Sequence, residues 1–497
     1  MRETVFIVRT GSANLASVRA AVARLGFEAV LTERAEDVLG ARRLIVPGVG
    51  ALGAAMGALE RAGLVGALRE RIGRGGATLC VCLGMQLLLE GSEESPGVAG
   101  LGVAAGRAGR FGGAGLRVPQ LGWNWVEPEA GCGLVEPGWA YYANSFRLAA
   151  RPTGWSVAWT EYGGRFVGAM QRGAVLACQF HPELSGAWGA RLLERWLKNA
   201  ETGAAGGGGR VGTGVLPPRV IACLDMRDGR VVKGVRFQNL REAGDPAALA
   251  GAYAEQGADE LVVLDVSATA EGRRAALETV RRVRRAIDVP LTVGGGVRSE
   301  EDAAALLEAG ADKVGVNTAA VERPEILSRL AERFGCQAVV LAVDGRRKGQ
   351  MVKGAEGQRG DGAAGQGQSG GGWEVVTRAG TVGTGMDAVA WVRRGVELGA
   401  GEILLTSWDR DGTGHGYDLE LTEAVSGAAS VPVIASGGAA TPEHLGEALR
   451  HGASAVLAAS IFHDGVWTVG GIKARLDAMG IKMRGTRVER GGGVLSG

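Results

Sequence analysis

The chain has 497 residues, enough for two or three domains that each bury a core. Its 55 basic and 53 acidic side chains nearly balance, which argues against nucleic-acid binding through a general basic field, and no run of eighteen apolar residues offers a membrane span. Six scattered cysteines fit reduced thiols inside a cell rather than a disulfide framework, and the opening MRETVFIVRTGSAN runs into a strand with no signal- or transit-peptide pattern.

Residues 1–200 alternate apolar strands with amphipathic helices, an α/β pattern. A strand is predicted over Val5–Val8, a helix from about Ser17, and a second strand over Arg43–Val46 that ends in Pro47-Gly48-Val49-Gly50. The stretch Thr78–Glu90, TLCVCLGMQLLLE, reads as a buried strand, a sharp turn and a helix start, with Cys82 at the corner. A thiol there is exposed on a nucleophile elbow, and the helix start behind it favours the thiolate. The other reading is a buried apolar cysteine, as Cys80 is expected to be. Of five histidines only His181 precedes His415, and it lies in QFHPE after the apolar strand Ala174–Cys178. A thiol nucleophile needs a base and a group to orient that base. Cys82, His181 and Glu183 supply the three types, although spacing alone does not bring them together.

Residues Asn199–Pro218 are glycine-rich and end in Pro-Pro, a linker by composition. We place a first domain at 1–200, the linker at 201–218, a second domain at 219–485 and a flexible tail at 486–497. Eight strands are predicted in the second domain: Val220–Leu224, Leu261–Leu264, Leu291–Val293, Lys313–Val316, Ala338–Val343, Ile403–Thr406, Val433–Ala435 and Ala455–Ala458. Alternating with helices, they read as a (β/α)8 TIM barrel. An internal repeat supports this. Glu260–Leu264 matches Glu402–Thr406, Gly295-Gly296 matches Gly437-Gly438, and Asn317-Thr318 matches Ala459-Ser460, each pair 142 positions apart. Residues 346–372, rich in Gly, Gln and charge, are expected to be a disordered surface insertion after strand five.

Glycine-rich strand ends can hold phosphate on backbone N–H groups. The repeat therefore predicts two phosphate sites on one face, built around Gly296, Asn317 and Thr318 and around Gly438 and Ser460. A substrate with a phosphate at each end would bridge them. Acids also follow strands: Asp225, Asp265, Asp344, Asp409 and Asp411. Each alone reads as a helix cap or loop carboxylate. Asp225 and Asp411 face each other across an eight-strand ring, which suits paired acid and base work. Arg219, Glu260, Lys313 and Glu402 each stand just before an apolar strand. Simple solvated strand ends are one reading of them; a charged ring at the barrel floor is the other.

CLGMQ followed by FHPE resembles the Cys-His-Glu triad of class I glutamine amidotransferases. PGVG resembles their oxyanion strand, which implies Leu83 and Gly50 N–H groups as oxyanion donors and Gln86 as a glutamine holder. VPQLGWN and YYANSF, which includes Ser145, resemble the glutaminase part of the imidazole glycerol phosphate synthases. ACLDMRDGRVVKGVRFQNLREAGDP, GADELVVLD, TVGGGVR, GADKVGVNTAAVE, GAGEILLTSWDRDGTGHGYDLEL, VIASGGA and LAASIFH resemble their cyclase part. The chain departs from the family at Asn144 (usually His), Arg9-Thr10 (usually Asp-Tyr) and Leu184 (usually Lys).

The resemblance implies a fused enzyme that hydrolyses L-glutamine and passes ammonia through the barrel. It turns the bisphosphate PRFAR into imidazole glycerol phosphate and AICAR in histidine biosynthesis. It implies Asp225 and Asp411 as acid/base pair, Asp344 in support, Lys233 closing over substrate, and Thr406 and Gly412 among the substrate contacts. The four charged residues become the ammonia gate. No metal or organic cofactor is expected, the partners are the two substrates and an intramolecular domain interface, and no nucleic acid or membrane is involved. A soluble intracellular monomer is expected, in plastid or cytoplasm. Three rivals stand beside this reading. A histidine-pathway isomerase barrel would lack the triad domain, a pyridoxal phosphate synthase arrangement would need a catalytic lysine pattern, and a non-catalytic regulator would not need the triad and both aspartates.

Overall fold

The computed structural model describes residues 3–11, 14–198, 214–227, 229–235, 238–265, 270–349, 372–378 and 380–485. Residues 201–213 of the predicted linker, 350–371 of the predicted insertion and the whole predicted tail lie outside the described residues.

The first domain is built on one nine-stranded sheet. By first residue the strand order is 28, 4, 44, 78, 175, 165, 156, 120, 138. The strands from 28 to 175 run parallel and those from 165 onward antiparallel. The central strands Leu44–Val46, Thr78–Val81 and Val175–Cys178 are buried throughout, which is why they read as continuous apolar runs. Apolar clusters cover both faces, one around Leu44, Cys80 and Val167 and one around Ile45, Val81 and Phe180.

The second domain is a closed parallel barrel. Its strands, numbered one to eight, are Arg219–Arg227, Glu260–Asp265, Leu291–Gly294, Lys313–Val316, Val339–Arg347, Glu402–Ser407, Val433–Ser436 and Ala455–Ala458. Strand eight pairs back onto strand one, with Arg219 opposite Ala455. Ile221, Val262, Val340, Leu404, Ile434 and Leu457 pack inside the barrel, and a larger apolar cluster lies between strands and helices. No described helix is long and apolar enough to cross a membrane.

Two hairpins were not anticipated. Arg230–Val235 and Gln238–Gly244 follow strand one, and Trp373–Thr377 and Val382–Asp387 follow strand five. The second corrects the insertion boundary. Strand five continues through Arg346 and Arg347, which pair antiparallel with Glu374 and Trp373. The part-buried Arg346–Glu374 ion pair at 2.5 Å explains how a charged segment is held as strand.

The first domain docks on the end of the barrel where strands begin. The Trp123 indole N–H donates to Asp259 O at 3.0 Å, and the Arg484 guanidinium lies 3.9 Å above that ring. Asn14, the cap of helix Leu15–Arg24, donates to Ala311 O at 2.8 Å, and Ser17 donates to Asp312 at 3.0 Å. Gly186 N–H donates to Asp288 O at 3.0 Å and Val118 N–H to Ser430 O at 3.2 Å. Leu184 is buried with Trp123 and Tyr141 in the same cluster as barrel residues Val220 and Leu261. An apolar contact thus occupies the place where a lysine was expected.

Candidate active sites

Strand pairing explains the first site. Thr78–Val81 and Val175–Cys178 are parallel neighbours with Val81 opposite Cys178. The residues that leave their ends, Cys82 and His181, are thereby brought together. Cys82 N–H donates to Cys178 O at 2.7 Å. Cys82 has φ 54°, ψ −109°, a strained conformation for a residue with a side chain. The elbow needs glycines around it. A Cβ on Gly84 would lie 2.0 Å from Val46 O, and one on Gly48 would lie 2.9 Å from the Leu83 Cβ. Gly84→Ala is therefore expected to displace the elbow and cut glutamine-dependent turnover at least roughly 100-fold, the scale of a misplaced reacting group. Ammonium-dependent turnover, measured in parallel, should survive.

His181 Nδ1 is 2.8 Å from Glu183 Oε1, and both side chains are buried. Burial opposes the imidazolium, but Cys82 and then Glu183 outweigh it, and the His181 pKa is well above its ordinary value. Glu183 Oε2 is buried with no hydrogen-bond partner among the described residues, and Oε1 is turned to His181. Gln179, not among the predicted site residues, donates from Nε2 to the Cys82 sulfur at 3.6 Å and accepts from Gln86 at 3.0 Å. Its position in QFHPE beside His181 was the available signal. Thr10 holds Pro47 O at 3.0 Å, so this departure supports the PGVG strand. Asn144 donates to Phe146 O at 2.9 Å, while its Oδ1 is buried without a partner among the described residues. Ser145 faces Cys336 of the barrel at 3.7 Å. Gly50 has φ 83°, a glycine conformation. The Leu83 N–H, predicted to face an oxyanion, donates to Gly48 O at 3.3 Å.

A cavity of about 700 Å³ crosses the domain contact, lined by Pro47–Val49, Tyr141, His181 and Glu183 on one side and Asp312 and Lys313 on the other. At its barrel end the four charged residues close into a ring. Arg219 meets Glu260 at 2.7 Å and also pairs with Glu402; Lys313 meets both glutamates at 2.5 Å. All are 2% exposed or less. Burial opposes the Glu402 and Arg219 charges, but Arg219 and Lys313 hold Glu402 below the usual carboxylate range, and Glu402 and Glu260 raise Arg219. A ring of this kind is held only while every member is paired. Thr292, absent from the predicted set, donates to Glu260 at 2.6 Å and also lines the cavity on the far side of the ring.

That second cavity, about 1480 Å³, fills the barrel mouth. Asp225, Gly296, Asn317, Thr318, Asp344, Thr406, Asp411, Gly412, Gly438 and Ser460 all line it. Of Lys233 only the strand is described; its side chain lies outside the described set. Burial, then the Asp411 charge, pushes Asp225 up to about 7. Burial pushes Asp344 up to about 6, with Asp411 adding to it while the Asn317 amide, donating at 2.9 Å, works the other way. Asn317 therefore steadies a carboxylate, a role the phosphate reading did not include. Gly295 and Gly296 have φ 98° and 71°, Gly437 and Gly438 both 94°. A Cβ on Gly295 would lie 2.0 Å from Asp265 O. Asp409 instead accepts the Arg347 N–H at 2.8 Å, a structural role.

Residues 219–468 match the family described as Histidine biosynthesis protein, and residues 11–200 match Glutamine amidotransferase class-I. Among curated proteins the chain is similar to the "Imidazole glycerol phosphate synthase subunit HisF" of Mycobacteroides abscessus, 54% identical over 266 residues, which is 54% of this chain and 98% of that protein. The protein of the same name from Mycobacterium tuberculosis is 53% identical over 273 residues, 55% of this chain and 97% of that protein. The one from Metallosphaera sedula is 53% identical over 267 residues, 54% and 98% respectively.

Proposed function

The chain belongs to the histidine biosynthesis protein family, and from that premise we propose that its two sites work as one device joined through the charged ring. The activity is glutamine-dependent imidazole glycerol phosphate synthesis in histidine biosynthesis, with a class I glutaminase supplying the nitrogen. We read residues 1–200 as the glutaminase and 219–485 as the cyclase. The one observation that carries the coupling is the shared cavity: His181 and Lys313, from different domains, line the same space.

In the glutaminase, His181 takes the Cys82 proton and the thiolate attacks the glutamine amide carbon. Leu83 and Gly50 N–H groups receive the oxyanion, and Gln86 and Ser145 hold the substrate. To receive the oxyanion, the Leu83 N–H turns away from Gly48 O. Collapse of the tetrahedral intermediate passes the proton from His181 to the leaving nitrogen as ammonia; water then frees glutamate. Ammonia crosses the ring and moves past Thr292 to the mouth. There the two glycine-rich ends, with Thr318 and Ser460, hold the phosphates of PRFAR, and Lys233, Thr406 and Gly412 complete its contacts. Ammonia attacks the ribulosyl carbon, and Asp411 and Asp225 move protons between donor and leaving group. Asp344 supports them. Both partners being tethered in one chain, we read the protein as a monomer, and as soluble and intracellular, in plastid or cytoplasm.

Following glutamate release with and without PRFAR, alongside PRFAR loss, tests the coupled reading. Stimulated release stoichiometric with imidazole glycerol phosphate supports it. Turnover with ammonium but not glutamine would mean a cyclase joined to an impaired glutaminase, with Asn144 the first place to look. Lys313→Ala breaks the ring and leaves two buried glutamates sharing one cation. It is expected to uncouple the reactions, with more than one glutamate released per imidazole glycerol phosphate. A ratio that stays at one would remove the ring from the ammonia route.

A further inference from the structure

The half-barrels share more than their glycine-rich ends. The hairpin after strand one and the hairpin after strand five also correspond at the 142-position offset, Arg230–Val235 falling on residues 372–377. At the turn of the second hairpin stands Arg378, with φ +52°. A residue with a side chain is strained there. The turn is held by Thr381, whose N–H and hydroxyl both donate to Arg378 O, at 3.3 and 2.7 Å. It brings the Arg378 N–H to 3.5 Å from the Thr318 hydroxyl. Arg378 lines the mouth cavity together with Gly294–Gly296 and Thr318. Its guanidinium meets Glu322 at 3.3 Å, with both side chains more than half exposed. Such an exposed pair contributes little, and a phosphate dianion is a stronger partner.

We propose that Arg378 clamps the substrate phosphate held beside Gly294–Gly296 and Thr318. The proposal rests on the phosphate sites described above. Arg298 and Arg323 line the cavity with Arg378 and add positive charge beside it.

The test uses the full chain with saturating ammonium, so that glutaminase effects drop out. Arg378→Gln keeps a polar side chain and the backbone strain but is shorter and loses the guanidinium charge. It is expected to raise KM for PRFAR at least roughly ten-fold, the loss of one charge-assisted pair, with kcat falling less than about three-fold. Arg378→Lys should recover most of the loss, and competitive inhibition by inorganic phosphate should weaken in parallel with KM. A packing role would not be rescued by lysine or track phosphate inhibition. Thr318→Val separates the two levels of the reading. If it raises KM while Arg378→Gln leaves KM unchanged, the clamp is overturned and the phosphate site stands. If neither moves KM, the phosphate site is overturned as well.

Discussion

Replacing Cys82 by alanine is expected to lower glutamine-dependent formation of imidazole glycerol phosphate by at least about 10⁴-fold, the scale seen when a covalent nucleophile is removed. Ammonium-dependent formation should remain within about two-fold of the parent chain. The split follows from geometry. Cys82 belongs to the sheet domain and meets His181, which lines the domain-contact cavity on the far side of the charged ring from the mouth cavity. Added ammonia reaches the mouth without the elbow. Because Cys82 is 5% exposed, the lost sulfur leaves a small void and the fold should hold. Parallel assays with glutamine and with ammonium at fixed PRFAR check this. Persistent glutamine-dependent turnover in Cys82→Ala would assign the nucleophile elsewhere. Loss with both nitrogen sources would mean that the elbow also positions the barrel.

Asp225→Asn and Asp411→Asn should do the converse, cutting cyclisation from either nitrogen source by about 10²–10⁴-fold, the range for a positioned acid or base. The PRFAR-independent glutaminase should continue. The Asp411 charge acts on the Asp225 carboxyl. With Asp225 pushed up to about 7 by burial and the Asp411 charge, a limb near pH 7 is expected in ammonium-dependent turnover, after correction for the fraction of ammonia. The same shift has a stability consequence. Between about pH 4 and 7 the folded chain holds a proton that the unfolded chain has released. Stability of the free enzyme therefore falls as pH rises through that window. Asp225→Asn removes the buried charge and should melt a few degrees higher than the parent chain at pH 8. A lower melting temperature would mean that the Asp225 charge is compensated in the folded protein.

Much of this molecule was written in short stretches. The 142-position repeat specified a barrel of two halves because each half must bury the same apolar strands against the same kind of helix. Lys313–Val316 and Ala455–Ala458 were predicted as they stand, since a buried parallel strand shows as a run of small and branched apolar residues, here after the leading Lys313 in the first of them. The chemistry-bearing residue types at the elbow and in QFHPE were equally plain. What the sequence did not determine was adjacency. Cys82 meets His181 because strands Thr78–Val81 and Val175–Cys178 happen to be parallel neighbours, a pairing set by burial across the whole sheet. The four charges before the barrel strands form a buried ring only because closure brings strands one, two, four and six to one floor and the docked domain takes water away. The hairpins were missed because their strands carry charge and glycine, and only the antiparallel partner makes them strands. The Leu83 hydrogen bond to Gly48 and the apolar seat of Leu184 were hidden for the same reason. Local spacing encodes period and turn, while contacts between distant segments depend on what the folded surface leaves them to touch.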